Sequence, residues 1–321
     1  FSSFEGATRI ICLTHANPDG DALGSMLGIA ALLRTQYPRK EILTLCRDPA
    51  PNSFHFLPGS NAISHTVEFE QGDLIIILDT AEPKLTELHE VYPLLFSPEK
   101  AEAEGWRTLK VDHHPDGSPF AQINIIDGTA ASTAEIVVDI ADSLNFSMNP
   151  DVATCLLTGI YTDTGSLMHS NTSQRVYRTA ARLLRAGANQ KALIENIFRS
   201  SKISTLRLWG RVLEKISITE EGAAVSAVTA GDFRATGANF SELTGAIDYV
   251  NSIPGMKFSL ILSERGGKVK GSLRTLRDDI DVSSLAQKFS GGGHKKAAGF
   301  SINGKLAEET RWKVIPPKTD N

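Results

Sequence analysis

Leu74-Ile-Ile-Ile-Leu78 is an apolar run without a single polar interruption, and it stops on Asp79. A strand with one wet face alternates apolar and polar residues. A run that does not alternate belongs to a strand covered on both faces, as in the parallel sheets of α/β proteins. Other strand-like runs occupy residues 9–13, 41–45 and 108–111, and helical patterns occupy 21–34, 132–143, 152–160 and 173–185. Short strands alternating with helices predict βαβ units and a mostly parallel sheet.

The chain has 321 residues, enough for about two domains of ordinary size. The first is expected over residues 1–185. A polar helical connector follows over 186–210, with Lys191, Glu195, Arg199, Lys202 and Arg207 along it. A smaller α/β domain is expected over 211–305, then a frayed tail over 306–321. Its signals are strand-like runs at 223–228 and 258–262, a hairpin turn at Gly266-Gly267, and helix-spaced Val282, Leu285, Ala286 and Phe289. Gly291-Gly-Gly-His294 follows that helix.

Net charge is −4, from 33 basic and 37 acidic residues. A broad, sequence-blind nucleic-acid surface needs more cations than that. A small anionic substrate in a local basic pocket remains compatible with it. Cys12, Cys46 and Cys155 are odd in number and sit in apolar surroundings, so they read as reduced core thiols and predict a cytoplasmic protein. No apolar run reaches the roughly 20 residues of a membrane span. The longest, 22–33, contains Gly24 and Gly28 and is flanked by Asp21 and Arg34. No secretory signal is visible. The chain opens on Phe1, and a native N-terminus is expected upstream of it.

The chemistry gathers where strands end. The first strand runs into His15, Asp19 and Asp21, the third into Asp79, and the fourth into Asp112, His113 and His114. The apolar segment 155–160 leads to Asp163. Open parallel sheets bind ligands at the carboxyl ends of their strands, so these groups should share one rim. Four aspartates together would repel one another, and two divalent cations would cancel their charge. Mixed imidazole and carboxylate donors suit Mn²⁺ or another first-row ion better than Ca²⁺. Such ion pairs activate water and clamp a phosphoryl oxygen. Each cluster alone has a plainer reading: an aspartate after a strand is often a cap or turn residue, and a single histidine is often structural. Asp116 and Asp127, each before glycine, read as turn residues.

Taken together, HANPDGD (15–21), ILDTAE (77–82), VDHHPDG (111–117) and YTDTG (161–165) resemble the four motifs of the DHH phosphoesterases. GSLRT (271–275) and GGGHKKAAG (291–299) resemble the signature of the DHH-associated C-terminal domain. The likeness runs from about residue 8 to 302 and is greatest to the branch of nanoRNases and 3′-phosphoadenosine 5′-phosphate (pAp) phosphatases. It implies one metal on His15, Asp19 and Asp79 and another on Asp21, Asp79, His113 and Asp163, with Asp79 bridging. It implies two Mn²⁺ ions, Mg²⁺ or Co²⁺ serving as alternatives. His114 would face the substrate, and Asp112 would orient the histidines. Asp127 to Ala134 also resembles the family, and Ser132 as a helix cap with Glu135 three residues on gives it a structural reason.

In the second domain Arg274, Gly291, Gly292, Gly293 and His294 are expected to grip a phosphate or nucleotide, with Lys295 and Lys296 adding charge. The plainer reading is a flexible loop capping a helix. The active site would then lie in a cleft between the domains. The implied function is metal-dependent hydrolysis of short single-stranded RNA or of small phosphorylated nucleotides such as pAp. The rivals are a cyclic or linear dinucleotide phosphodiesterase, a family II pyrophosphatase, a RecJ-like exonuclease and a non-catalytic nucleotide-binding regulator. No membrane association is expected, and a homodimer fits the class.

Overall fold

A computed structural model describes residues 2–115, 117–199, 201–307 and 309. Its contacts divide the chain into two units, Phe1–Ser200 and Ser201–Asn321.

In the first unit, β1 (Arg9–Leu13), β2 (Glu41–Leu45), β3 (Leu74–Leu78), β4 (Arg107–Asp112) and β5 (Ile123–Ile126) form one parallel sheet in the order β2-β1-β3-β4-β5. β3 is central and buried at every position, as its unbroken apolar run requires. One face of the sheet, with Ile10, Cys12, Ile76, Leu78 and Val111, packs on the helices Gly20–Gln36, Thr133–Ser143 and Pro150–Asp163. The other face, with Ile11, Leu13, Ile75 and Ile77, is covered by Leu88, Leu95 and Phe120 from irregular chain and short turns.

The Gly20–Gln36 helix carries glycines at every fourth position, which is one face of a helix. A Cβ on Gly24 would lie 2.6 Å from the carbonyl oxygen of Cys155, and one on Gly28 would lie 2.6 Å from Leu156 Cδ2. On the facing helix, a Cβ on Gly159 would lie 2.5 Å from Asp21 Oδ1. Glycine therefore lets the Gly20–Gln36 and Pro150–Asp163 helices approach backbone to backbone. That approach sets Asp21, at the start of one helix, near Asp163, at the end of the other.

The connector is not one continuous helix. Gln174–Arg185 ends before Gly187, whose φ of +95° breaks helical geometry, and Asn189 then caps Gln190–Leu193. A π-turn follows over Ile194–Phe198. The Ile203–Glu214 helix belongs to the second unit, where Leu208 and Val212 enter the core with Ala224, Val228 and Ile261.

The second unit has a mixed sheet in the order β10-β11-β9-β8-β7-β6. Its strands are β6 (Ser217–Ile218), β7 (Ala223–Val228), β8 (Phe258–Arg265), β9 (Lys268–Arg274), β10 (Gly292–His294) and β11 (Ala297–Asn303). Gly266 and Gly267, with φ of +54° and +76°, make the expected two-residue hairpin turn. The glycine run differs from expectation: Gly292–His294 is an edge strand paired antiparallel to Ala297–Gly299, not a loop. The expected tail lies almost wholly outside the described residues, and so does Asp116. Among the described residues no helix is long and apolar enough to cross a membrane. Cys12, Cys46 and Cys155 are all buried, and burial pushes their thiols up to about 12, 11 and 12.

Candidate metal centre

β1, β3 and β4 are neighbours and run parallel, so their carboxyl ends share one rim. His15, Asp19, Asp79, His113, His114 and Asp163 line a cavity of about 210 Å³ there. Asp21 lies beneath it, fully buried.

Asp19 is both a cap and a candidate ligand. Its Oδ1 accepts hydrogen bonds from the backbone N–H of Asp21 and of Ala22, both at 3.0 Å, which starts the Gly20–Gln36 helix. Asp21 reaches the N-terminus of another helix. Its Oδ2 accepts from Thr133 N–H at 2.6 Å and its Oδ1 from Ala134 N–H at 2.9 Å. The Thr133 hydroxyl donates to Asp79 Oδ1 at 3.0 Å. Thr133 thus braces two carboxylates, a role not evident when Ser132 alone is read as the cap. Ser132 does cap that helix, accepting from Glu135 N–H at 3.2 Å, but the Glu135 carboxylate accepts from Ala131 N–H, not Ser132 N–H.

Asp79 leaves β3 with φ of +53°, a left-handed conformation that aspartate tolerates better than most residues. Its two oxygens face different histidines: Oδ2 lies 3.7 Å from His15 Nε2 and Oδ1 lies 3.6 Å from His113 Nε2. His113 Nε2 is also 3.3 Å from Asp163 Oδ2 and 4.0 Å from Asp21 Oδ2. Candidate donor atoms within 4.8 Å of one another form the groups His15–Asp19–Asp79, Asp21–His113–Asp163 and Asp79–His113–His114.

Electrostatics identify what this cluster lacks. Loss of water around them, and then the charge of Asp79, raise the carboxyls of Asp19, Asp21 and Asp163, the last two well above the usual carboxylate range, although Asp19 itself keeps an exposed side and Asp163 is half-buried. Burial pushes Asp79 the same way, but hydrogen bonding with His15 and the charges of His113 and His114 bring it below its ordinary value. For His15 burial works against the proton, yet hydrogen bonding with Asp79 prevails and lifts it to about 9. Burial lowers His113. Among the described residues no lysine or arginine forms an ion pair with any of the four aspartates. His15 Nδ1 lies 2.8 Å from the Ala16 carbonyl, which can only accept, so Nδ1 keeps its proton and Nε2, facing Asp79, is the nitrogen whose proton a metal would displace. Crowded acids, Asp21 and Asp79 buried among them, with no lysine or arginine beside them and with imidazole nitrogens facing them, fit a site for divalent metal.

His114 is held differently. Its Nδ1 is 2.7 Å from Asp112 Oδ1, and that hydrogen bond raises its affinity for a proton. The 3.8 Å approach of His114 to Asp79 is made by this same nitrogen. Behind Asp112 lies Lys110, fully buried, with Nζ 3.1 Å from Asp112 Oδ2 and 3.0 Å from the Ser118 carbonyl. Its ammonium also sits 4.7 Å from the centre of the Phe120 ring. Burial would raise Asp112, but His114 and Lys110 hold it below its ordinary value. A Cβ on Gly117 would lie 2.7 Å from Asp112 Oδ2 and 2.9 Å from Lys110 Nζ, so glycine closes this pair off. A lysine between Leu109 and Val111 inside an apolar strand was the available sequence signal. Asp127 is a turn residue as expected, accepting from Thr129 N–H at 2.9 Å and pairing with Arg175.

In the second unit, cross-strand pairing puts His294, Ala297 and Arg274 in one row. Directly paired residues point to one face, so Arg274 and His294 share a surface with Gly292 and Gly299. A Cβ on Gly291 would lie 2.2 Å from the Gly299 carbonyl oxygen, and one on Gly293 would lie 2.6 Å from the Ala297 carbonyl oxygen. These two glycines are needed for packing. A Cβ on Gly292 would meet nothing within 4 Å, so its bare backbone faces open space.

Residues 9–160 match the DHH family N-terminal domain and residues 221–314 match the DHHA1 domain. The chain is 34% identical to the bifunctional oligoribonuclease and PAP phosphatase NrnA of Thermus thermophilus, over 95% of this chain and 88% of that one. It is 27% identical to the protein of that name from Bacillus subtilis, over 91% and 89%. The crystal structure of an exopolyphosphatase-related protein from Bacteroides fragilis superposes with a TM-score of 0.84 at 26% identity, over 95% of this chain and 90% of that one. Domain order, motifs and these likenesses agree, and the chain belongs to the DHH family, its N-terminal domain followed by a DHHA1 domain.

Proposed function

We propose that this chain is a metal-dependent hydrolase of short oligoribonucleotides and of pAp. Asp79 carries the reading. Each of its oxygens faces a different histidine, with Asp19 on one side and Asp21 and Asp163 on the other. That arrangement supports two ions sharing one carboxylate: His15, Asp19 and Asp79 for one, and Asp21, Asp79, His113 and Asp163 for the other. The mixed donors favour Mn²⁺, with Mg²⁺ and Co²⁺ as alternatives. The substrate pair is supported by relatives named for both activities.

Bound there, divalent ions supply positive charge for a phosphoryl oxygen and make water acidic enough to attack at neutral pH. The chain's own residues do the positioning. Thr133 fixes the carboxylates of Asp21 and Asp79 from one helix end. Asp112 accepts a hydrogen bond from His114 Nδ1–H and so makes Nε2 the ring atom turned toward substrate. With the ring protonated, Nε2–H donates to the leaving oxygen as negative charge develops. Arg274, with the glycine run Gly291, Gly292 and Gly293 beside His294 and the open backbone of Gly292 foremost, would hold another phosphate of the substrate.

Anomalous scattering from Mn²⁺-soaked crystals should find two ions about 3.5–4 Å apart, both touching Asp79. One ion, or ions elsewhere, would end the two-metal reading. A substrate panel with Mn²⁺ should show turnover of pAp and of two- to five-nucleotide RNA above cyclic dinucleotides, pyrophosphate and long RNA. Absence of turnover on every substrate would favour a nucleotide-binding regulator. His113→Ala should empty a metal site, whereas His114→Ala should keep the metals and slow turnover. The reverse pattern would exchange their roles.

A further inference from the structure

The DHHA1-type unit contains a pocket of about 680 Å³ that the metal chemistry does not use. Its floor is one face of β8 and β9. Pairing of Ile261 with Ser272 and Ser263 with Lys270 puts these side chains, and Arg265 two residues on, on the same face as Arg274. Three cations therefore line the pocket: Arg265, Lys270 and Arg274. None of them is in an ion pair with a described residue. Cations gathered without acids favour an anionic ligand. Lys270 and Arg274 are four residues apart on one strand, about 13 Å, far enough to hold different phosphates of one chain.

The wall adds a planar element. Phe240 stacks on Phe233 with ring centres 4.2 Å apart at 26°, and the Arg265 guanidinium lies 4.9 Å from the Phe240 ring centre. Phe233 occupies one face of the Phe240 ring, which leaves the other for Arg265. The guanidinium is thereby placed over an aromatic ring at the wall of the pocket. Arginine planes held this way stack on nucleobases and bond phosphates with their edges. Ser263 and Ser272 add hydroxyls to the floor. An acidic peptide would satisfy the charges but leave the guanidinium face without a partner.

We infer that this pocket binds the part of a single-stranded oligonucleotide beyond the phosphate held by Arg274, with backbone phosphates on Lys270 and Arg265 and a base laid on the Arg265 plane. The inference rests on the oligonucleotide reading above and adds a second grip that makes longer substrates distinguishable from pAp.

The test uses the full chain with Mn²⁺, comparing pAp with adenylate oligomers of two to five nucleotides. Lys270→Gln with Arg265→Gln changes two exposed side chains and should lower kcat/KM for the pentamer at least about tenfold more than for pAp. The dependence of log KM on log salt for the pentamer should flatten by about 1.4, at roughly 0.7 for each single-strand phosphate that is no longer neutralised. Phe240→Leu keeps an apolar neighbour for Phe233 but removes the ring under Arg265, and should lower pentamer turnover selectively. Phe240→Tyr should restore it. Equal losses on pAp and pentamer, or none, would overturn the pocket. Competition by poly-aspartate as strong as by RNA would make it a general acid-binding surface and also overturn it. Binding of fluorescein-labelled pentaadenylate, read by anisotropy, separates the two ideas. Wild type that binds it through Lys270 and Arg265 but cleaves nothing would sink the hydrolase reading alone.

Discussion

The two units carry polar surfaces of opposite construction. In the first, aspartates converge at the ends of parallel strands, mostly buried, and backbone N–H groups or histidines fix them. In the second, arginines and a lysine line a pocket on one face of a sheet, half-buried or exposed, and among the described residues none of them is in an ion pair. A buried charge is expensive, so it persists only where geometry is enforced. An exposed cation costs little and tolerates looser placement. The first surface is exacting in its geometry. The second is cationic and looser. Substitutions should therefore differ sharply in effect between the two.

The largest effect is expected at Asp79. Asp79→Asn replaces one of two oxygens that each face a different histidine and should lower kcat/KM on the order of 10⁴-fold on every substrate, the scale at which central catalytic groups act. A loss confined to long substrates would erase the contrast between the units. Lys110→Met comes next. It leaves Asp112 buried without its cation and should cost about 3–5 kcal/mol of stability, read by chemical unfolding. An unchanged unfolding midpoint would mean that the interior charge is dispensable, contrary to the picture of enforced geometry.

Arg274→Ala should keep both metals and the fold and weaken substrate interaction by about 1.5–3 kcal/mol, the scale of a charged hydrogen bond. Kinetics on pAp and on a nitrophenyl phosphoester separate its role: loss on pAp with little on the reporter sharpens the contrast, and equal loss breaks it. The smallest effect is expected at Lys295, exposed in the turn between β10 and β11. Lys295→Ala should change kcat/KM by no more than about fivefold, the range of a solvent-screened surface charge. A larger change would show that the open face is as exacting as the buried one.

Much of the first unit was legible because its signals are periodic or terminal. The unbroken run at β3 required cover on both faces, and each acidic or histidine cluster sat where a strand or helix stopped. What covers the second face was not legible, since Leu88, Leu95 and Phe120 come from turns with no repeating spacing. Thr133 was hidden by its neighbour: Ser132 explained the cap, and nothing in the spacing showed that the helix start would meet Asp21 from 112 residues away. Lys110 was visible as an oddity in an apolar strand, but its partner two residues on required the strand's geometry. The glycine run read as a loop because glycine has no side chain to reveal strand alternation, and only pairing with β11 defines it.

Gly24 and Gly28 have a consequence beyond tight packing. At Gly24 two main chains meet directly, with no compressible layer between them and no rotamers to average over, and at Gly28 the Leu156 side chain fills the space a Cβ would need. The separation of Asp21 and Asp163 is therefore a fixed length, cut by the closest approach of two backbones and indifferent to rearrangement of the side chains around it. An ion held between these two aspartates would be gauged by radius from outside its own coordination shell. The unit of adjustment is one methyl group on a helix, placed where no ligand could ever touch it.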